Sequence, residues 1–316
     1  MIIKRRARIS HAAAFVAVAA CLAAGCAQLP DNPVGSRSSK PAIDPHDAHS
    51  RHTALDDLAR MRNLTAKATK LLDSGKATSM EILSKQLNRK QCKLSLPTRL
   101  TKQLTRSEIY RKNLDSVLIV ARIYKCSKCT KWHAGAASGF ALTSSGAIAT
   151  NYHLFESKNK QALVAMTSDG KTYAVKEVLA AGKTDDAVIL QLDMGAAKLK
   201  PLALAPDAPV GTEVAVISHP NHRFYSLTEG VVSRYSRQRT KRGTTDMMTI
   251  TADFAKGSSG APVFDDRGNV AAMVASTSSV YYTQTRDAQK NLQMVFKQCV
   301  PAASILKLIA GAGGRR

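Results

Sequence analysis

Long hydrophobic runs are scarce in this chain of 316 residues, and the only extended one lies at the N-terminus. Their scarcity excludes a multi-span membrane protein. No internal repeat is present. Hydrophobic residues make up 44% of the chain and charged residues 22%, and these ordinary proportions exclude collagen, low-complexity polymers and global disorder. The length allows one large domain or two modest domains.

Acidic residues are also few. The chain has 23 Asp and Glu against 46 Lys and Arg, which gives a formal net charge of +23. The excess is dispersed, with +4 in residues 1–26, +9 in 27–114 and +10 in 115–316. No segment matches a zinc finger, a basic zipper or an RNP motif. A dispersed basic surface more often reflects a protein's solubility and cellular compartment than a binding site, so we expect no nucleic-acid partner.

The N-terminus has the pattern of an export signal: Met1–Arg8 is basic and Ala12–Ala24 is apolar but too short to span a bilayer. The run ends in LAAGC, which resembles a bacterial lipobox and implies removal of residues 1–25 and acylation of Cys26. An ordinary signal peptide cut nearby is the alternative. Because Ala27 follows the cysteine, the resemblance implies an outer-membrane lipoprotein facing the periplasm, held to the membrane by lipid.

Export changes how the cysteines are interpreted, since four remain after the signal and the lipidated residue are set aside. They are Cys92, Cys126, Cys129 and Cys299. An even number in an oxidising compartment predicts disulfides. The Cys126–Cys129 pair allows a redox pair, a zinc half-site with His133 or a local bridge; we favour the bridge, and with it a Cys92–Cys299 disulfide. A single CxxC gives zinc weak support, so we expect no metal.

Hydrophobic periodicity divides the remaining chain. Residues 26–52 are rich in Pro, Ser, Asp and His and are typical of a flexible tether. Helical spacing in 54–73 and 79–91 predicts a helical extension over residues 53–112. From about Asn113 short apolar or alternating runs follow one another between turns, which predicts an all-β sandwich or barrel. A terminal helix is expected at Ala302–Ala310.

Three segments of the β-rich region carry chemical groups. The first is Ala137–Leu142, followed after a turn by Ala149–His153; the second is Thr184–Leu190; the third is Asp253–Phe264, which contains GSSGAP. In order and spacing they resemble the trypsin/chymotrypsin-like serine proteases, especially the bacterial branch related to the HtrA family. The resemblance covers residues 113–310 and implies a two-barrel fold with the helical extension and the terminal helix attached. It places the protease domain at 113–316, with no PDZ domain.

The resemblance implies a catalytic triad of His153, Asp185 and Ser259. A serine hydroxyl is a poor nucleophile until a base takes its proton, and a carboxylate orients that base. The neighbouring Asp186 is an ambiguity. The strand phase favours Asp185, because the family's aspartate stands two residues before the alanine matched by Ala187.

By the same resemblance the backbone N–H groups of Gly257 and Ser259 form the oxyanion hole. Asp253 lies six residues before Ser259, an offset at which trypsin-like relatives place a buried carboxylate that binds substrate Arg or Lys. The alternative is that Asp253 caps the turn or faces solvent.

Together these features predict an exported serine endopeptidase that hydrolyses peptide bonds of envelope or extracellular proteins through an acyl-enzyme. It needs no metal or organic cofactor, and its partners are a protein or peptide substrate and the membrane. The alternative is a catalytically inactive protease fold that serves as an envelope binding or scaffold lipoprotein.

Overall fold

A computed structural model describes residues 54–126, 129–156, 160–241, 243–285 and 288–311. The predicted signal peptide, the tether and Cys26 lie outside the described residues. Within the described ranges no helix is both long and apolar enough to cross a membrane.

The first half of the β-rich region closes into a barrel, which we call barrel 1, with strand order β1-β2-β3-β6-β5-β4. Its strands are β1 (Val117–Lys125), β2 (Trp132–Ala141), β3 (Ala147–Thr150), β4 (Lys160–Met166), β5 (Thr172–Gly182) and β6 (Ala187–Leu192). Leu118, Val120, Ile148 and Leu163 fill its interior without exposure to solvent. Every neighbouring pair is antiparallel, and the β1–β4 and β3–β6 pairs join strands that are distant along the chain.

The second half closes into barrel 2, with strand order β10-β11-β12-β9-β8-β7. Its strands are β7 (Glu213–Ser218), β8 (Ser226–Thr240), β9 (Gly243–Ile250), β10 (Pro262–Phe264), β11 (Val270–Gln284) and β12 (Gln289–Pro301). Val214, Val216 and Val263 belong to its interior, and a separate core joins the barrels through Phe140 and Phe264. The predicted all-β, two-barrel trypsin-like fold is confirmed.

Four helices flank the barrels in the described residues: α1 (Asp57–Asp73), α2 (Met80–Lys85), α3 (Arg106–Asn113) and α4 (Ala302–Leu306). Side chains at their N-termini explain where the first three begin. The Asp56 carboxylate accepts from Ala59 N at 2.8 Å, the Ser79 hydroxyl caps α2, and Thr105 with Glu108 forms a capping box. The helical extension and the C-terminal helix are therefore present.

Helix α1 contacts both barrels, so the extension is part of the packed structure. Leu64 and Ala68 are fully buried in the core that joins the barrels. Arg60 Nη1 donates to the carbonyl of Ser168 at 2.9 Å, next to barrel 1. Asp57 Oδ1 accepts from Phe224 N at 3.0 Å, next to barrel 2.

Truncating Leu64 tests this packing. We expect Leu64→Ala to lower the free energy of unfolding by about 2–5 kcal/mol, because a fully buried side chain leaves a cavity. Leu58 lies on the same helix but is 60% exposed, so Leu58→Ala should change stability by less than about 0.5 kcal/mol. Urea unfolding of both variants gives the comparison. Equal effects would show that α1 does not pack as described.

The disulfide prediction is wrong for the four described cysteines, none of which forms one. Cys299 is fully buried inside barrel 2. Cys92 instead pairs with the C-terminal segment, where its Sγ donates to Leu308 O at 3.4 Å. The sulfur atoms of Cys126 and Cys129 lie 3.3 Å apart, well beyond an S–S bond of about 2.05 Å.

Candidate active site

His153 lies just after β3, in a short 3-10 turn formed by Tyr152–Phe155. Its side chain is 35% exposed, so the ring reaches both protein and solvent. The turn is tied to the loop before β6 by two bonds to the carbonyl of Asp186, one from Asn151 Nδ2 at 3.1 Å and one from Tyr152 N at 3.2 Å. These bonds bring His153 beside the acidic pair.

The carboxylate that meets His153 belongs to Asp186, and the prediction that Asp185 orients the imidazole is corrected. His153 Nδ1 lies 2.8 Å from Asp186 Oδ2, and the backbone N–H of His153 donates to Asp186 Oδ1 at 2.8 Å. Both carboxylate oxygens therefore contact the same histidine. Two hydrogen bonds to one carboxylate fix the orientation of the ring and favour the tautomer that carries the proton on Nδ1.

Asp185 faces another direction because Asp186 enters β6 with a positive φ of 52°. The Asp185 carboxylate accepts from Thr245 Oγ1 at 2.6 Å and lies 3.6 Å from Lys307 Nζ. It therefore links barrel 1 to β9 and to the C-terminal segment. β6 begins at Ala187, so Asp186 lies immediately before the strand.

Ser259 lies in a turn bounded by two glycines in the left-handed region, Gly257 with φ 100° and Gly260 with φ 87°. A Cβ on Gly257 would lie 2.4 Å from the carbonyl of His219, so only glycine fits there without a shift. Ser259 is part-buried, and its hydroxyl makes a long contact of 3.4 Å to the carbonyl of Ala275. The turn thus leaves the Ser259 side chain partly exposed, three residues before β10.

Barrel 1 holds this turn by its backbone. Ser138 on β2 donates its N–H to the carbonyl of Ser259 at 2.8 Å and its hydroxyl to the carbonyl of Gly257 at 3.0 Å. A Cβ on Gly260 would lie 2.4 Å from Thr150 Oγ1, three residues before His153. The turn that carries Ser259 and the turn that carries His153 therefore meet at one seam between the barrels. Sequence reasoning missed this role of Ser138.

Buried polar groups contact the turn that carries Ser259 on its interior side. Ser258 is fully buried, and its hydroxyl donates to Ser218 Oγ at 3.0 Å. His219, which follows Ser218 in the chain, is fully buried, and its Nδ1 accepts from Tyr225 N at 3.1 Å. Its ring packs edge-on against Tyr225, with centroids 4.7 Å apart.

His219 predicts a dependence of stability on pH. Burial lowers its pKa to about 3, whereas the unfolded chain takes up the proton near pH 6.5. The folded state excludes a proton that the unfolded state binds. The contribution of neutral His219 to the free energy of unfolding is therefore complete above pH 6.5 and is lost as the pH falls toward 3.

We expect the free energy of unfolding to fall more steeply with decreasing pH in the wild type than in His219→Gln, by up to about 1.4 kcal/mol per pH unit. Urea unfolding at a series of pH values between 7 and 4 measures the two slopes. Parallel slopes would contradict the burial of a neutral imidazole.

Asp253 does not form the predicted buried pocket carboxylate. Its side chain is 85% exposed, and its Oδ1 lies 3.0 Å from Lys297 Nζ. Lys297 also donates to the carbonyl of Phe254 at 3.0 Å and lies over that residue's ring. The carboxylate is therefore solvated and already neutralised by a cation, which removes the physical basis for binding substrate Arg or Lys through it.

Comparison with known families agrees with this architecture. Residues 137–273 match the family model described as trypsin-like peptidase domain. The match covers less than half of the chain, so over this range the chain is similar to that family. The matched range runs from β2 to β11 and includes His153, Asp186 and Ser259.

The chain is also similar to curated proteins. It is 27% identical over 189 residues to "Protease Do-like 1, chloroplastic" of Arabidopsis thaliana, covering 56% of this chain and 42% of the relative. It is 30% identical over 133 residues to "Probable periplasmic serine endoprotease DegP-like" of Halomonas elongata, covering 42% and 27%. It is 31% identical over 140 residues to "Anti-sigma-I factor RsgI9" of Acetivibrio thermocellus, covering 44% and 19%.

The chain therefore matches less than half the length of each of these relatives. Among solved structures, "Crystal structure of Deg5" aligns with a TM-score of 0.48 and 19% identity, covering 64% of this chain and 90% of that chain. The expected resemblance to HtrA-like, trypsin-type serine protease domains is confirmed at the level of the domain.

Proposed function

We propose that this protein is a serine endopeptidase whose triad is His153, Asp186 and Ser259. The observation that carries the proposal is the double contact of Asp186 with His153, at 2.8 Å to both Nδ1 and the backbone N–H. It occurs in a trypsin-like domain whose glycine-bounded turn presents Ser259 at the same seam. These are the parts that acyl transfer by a serine nucleophile requires.

In the proposed reaction the Ser259 hydroxyl leaves its long contact with Ala275 by rotation about Cα–Cβ and attacks the peptide carbonyl. His153 accepts the hydroxyl proton on Nε2 and returns it to the leaving amine, which yields an acyl-enzyme that water hydrolyses. Asp186 stabilises the imidazolium formed in between. The backbone N–H groups of Gly257 and Ser259 are the oxyanion donors, each worth on the order of 3 kcal/mol in the transition state.

This chemistry needs no metal or organic cofactor, because serine, histidine and aspartate supply the nucleophile, the base and the countercharge. The proposed substrates are proteins or peptides of the cell envelope. The sequence predicts a basic N-terminal export signal before the domain, and one relative carries the printed description "Probable periplasmic serine endoprotease DegP-like", so we include export in the proposal.

Acylation of Cys26 is the more specific part of the proposed localisation. Mass spectrometry of the mature protein from membranes should find a chain that begins at Cys26 and carries acyl groups. An unmodified N-terminus at another residue would reject lipidation without affecting the proposed chemistry.

A peptide library incubated with the purified protein tests the activity. We expect turnover by the wild type and its loss, by at least about 10³-fold, in Ser259→Ala. Ser279→Ala changes an exposed serine on β11 and should keep wild-type turnover. Absence of hydrolysis by the folded wild type would favour the scaffold alternative, as would equal turnover by the Ser259 and Ser279 variants.

A further inference from the structure

The tip of the β1–β2 hairpin brings two thiols and an imidazole together, away from the proposed triad. Cys126 follows β1 directly, Cys129 lies in the connecting loop and His133 is the second residue of β2. Cys129 Sγ lies 3.3 Å from Cys126 Sγ and 3.0 Å from His133 Nε2. All three potential ligand atoms fall within 4.8 Å of one another.

The hairpin itself holds this arrangement. Tyr124 and His133 are direct partners in the antiparallel ladder, and their rings stack with centroids 5.5 Å apart and planes at 27°. One residue along, Lys125 Nζ lies 4.6 Å from the centre of the Trp132 ring. Stacking fixes the plane of the imidazole so that Nε2 faces the cysteine loop.

We propose that Cys126, Cys129 and His133 bind a zinc ion, with both cysteines as thiolates and the histidine coordinating through Nε2. Thiolate sulfur and imidazole nitrogen are the ligands that zinc prefers in proteins, and a CxxC loop places two sulfurs on one ion. Two thiolates balance the charge of Zn²⁺. Three protein ligands leave a fourth position for water or an added ligand.

The distances suit this ion after a small expansion. Tetrahedral zinc with ordinary bond lengths separates two sulfurs by about 3.8 Å, and a sulfur from a nitrogen by about 3.6 Å. The present separations of 3.3 and 3.0 Å are each shorter by about half an ångström. Cys129 is exposed and the other two side chains are part-buried, so they have room to open around the ion.

The proposal departs from the expectation of a metal-free protein, and it is independent of the proposed protease activity. The spacing C-x2-C-x3-H lies within a single hairpin, and it is the zinc half-site with His133 that the sequence left as an alternative. His133 stands five residues along β2 from Ser138, the contact of the nucleophile turn. At the rise of an extended strand this is a distance of about 17 Å.

Zinc binding by the full chain, reduced and then freed of reductant, tests the proposal. We expect one zinc ion per chain by elemental analysis after gel filtration, and a calorimetric titration in which binding releases protons from the thiols. Cobalt(II) should give a thiolate-to-metal charge-transfer band. Cys129→Ser and His133→Asn should each weaken binding by more than about 100-fold, because each removes a direct ligand.

Cys92→Ser is the matched control, since Cys92 lies beside the C-terminal segment and should leave the stoichiometry and affinity unchanged. Circular dichroism of each variant checks that it folds, and Cys126→Ser provides a further ligand variant. Zinc bound equally by wild type and the ligand variants would overturn the proposal. A reduced wild type that binds no zinc would also overturn it. The same holds if the protein is isolated from cells with a Cys126–Cys129 disulfide and binds no zinc after reduction.

Discussion

Asp186→Asn should lower kcat/KM for a peptide substrate by about 10⁴-fold. The amide oxygen still accepts from the backbone N–H of His153, so the turn keeps its place. The amide NH2 group cannot accept a hydrogen bond from Nδ1–H and instead donates one to Nδ1, so it favours the tautomer that carries the proton on Nε2. In that tautomer Nε2 cannot accept the proton of Ser259, and no carboxylate stabilises the imidazolium.

Asp185→Asn is the matched control for this prediction. The Asp185 carboxylate contacts Thr245 and Lys307, whereas Asp186 accepts from His153, so we expect the substitution of Asp185 to lower kcat/KM by less than about tenfold. Steady-state kinetics of both variants on one peptide gives the ratio. A greater loss in Asp185→Asn than in Asp186→Asn would assign the triad aspartate to Asp185.

Gly260→Ala should lower the free energy of unfolding by more than about 3 kcal/mol and disable Ser259 at the same time. Gly260 has φ 87°, and an added Cβ would lie 2.1 Å from the carbonyl of Ser138. That carbonyl accepts from Thr150 Oγ1 at 2.8 Å. The backbone of barrel 1 must therefore move, and with it the contact that positions the nucleophile turn.

Gly211→Ala separates this clash from simple backbone strain. Gly211 has φ 92°, but an added Cβ would meet nothing within 4 Å. Its substitution should cost only the strain of a left-handed alanine, about 1–2 kcal/mol, and should keep hydrolysis. Urea unfolding and peptide turnover of the two variants provide the comparison. Equal losses of stability would mean that the seam at Gly260 is not tightly packed.

The barrels were predictable because alternating apolar residues must face an interior. The runs at Val117–Tyr124 and Ala187–Leu192 coincide with β1 and β6 within a residue. The strand Gln289–Pro301 was missed, since polar residues dominate its first part. It is the second strand of a hairpin with β11 over most of its length, and backbone pairing of this kind leaves little trace in side-chain composition.

The site was predictable where its residue types are rare and their order is informative, as for His153 and the glycines beside Ser259. The choice between Asp185 and Asp186 depended on one backbone torsion at the entry to β6, which a strand phase does not report. The prediction of a buried carboxylate at Asp253 was wrong for a related reason, because an offset from Ser259 carries no information about burial or about the contact with Lys297. The cysteines showed that an even count does not specify pairing, since Cys299 lies inside barrel 2 and Cys92 outside it.

The central claim is that Ser259 is a nucleophile activated by His153 and Asp186. Its most direct test is the site of covalent modification by a fluorophosphonate probe, read by peptide mass spectrometry of the folded full-length protein. We predict a single adduct on Ser259, strongly reduced in Asp186→Asn, retained in Asp185→Asn and lost on denaturation. An adduct on another residue, or a folded wild-type protein that takes up no probe at Ser259, would contradict the claim.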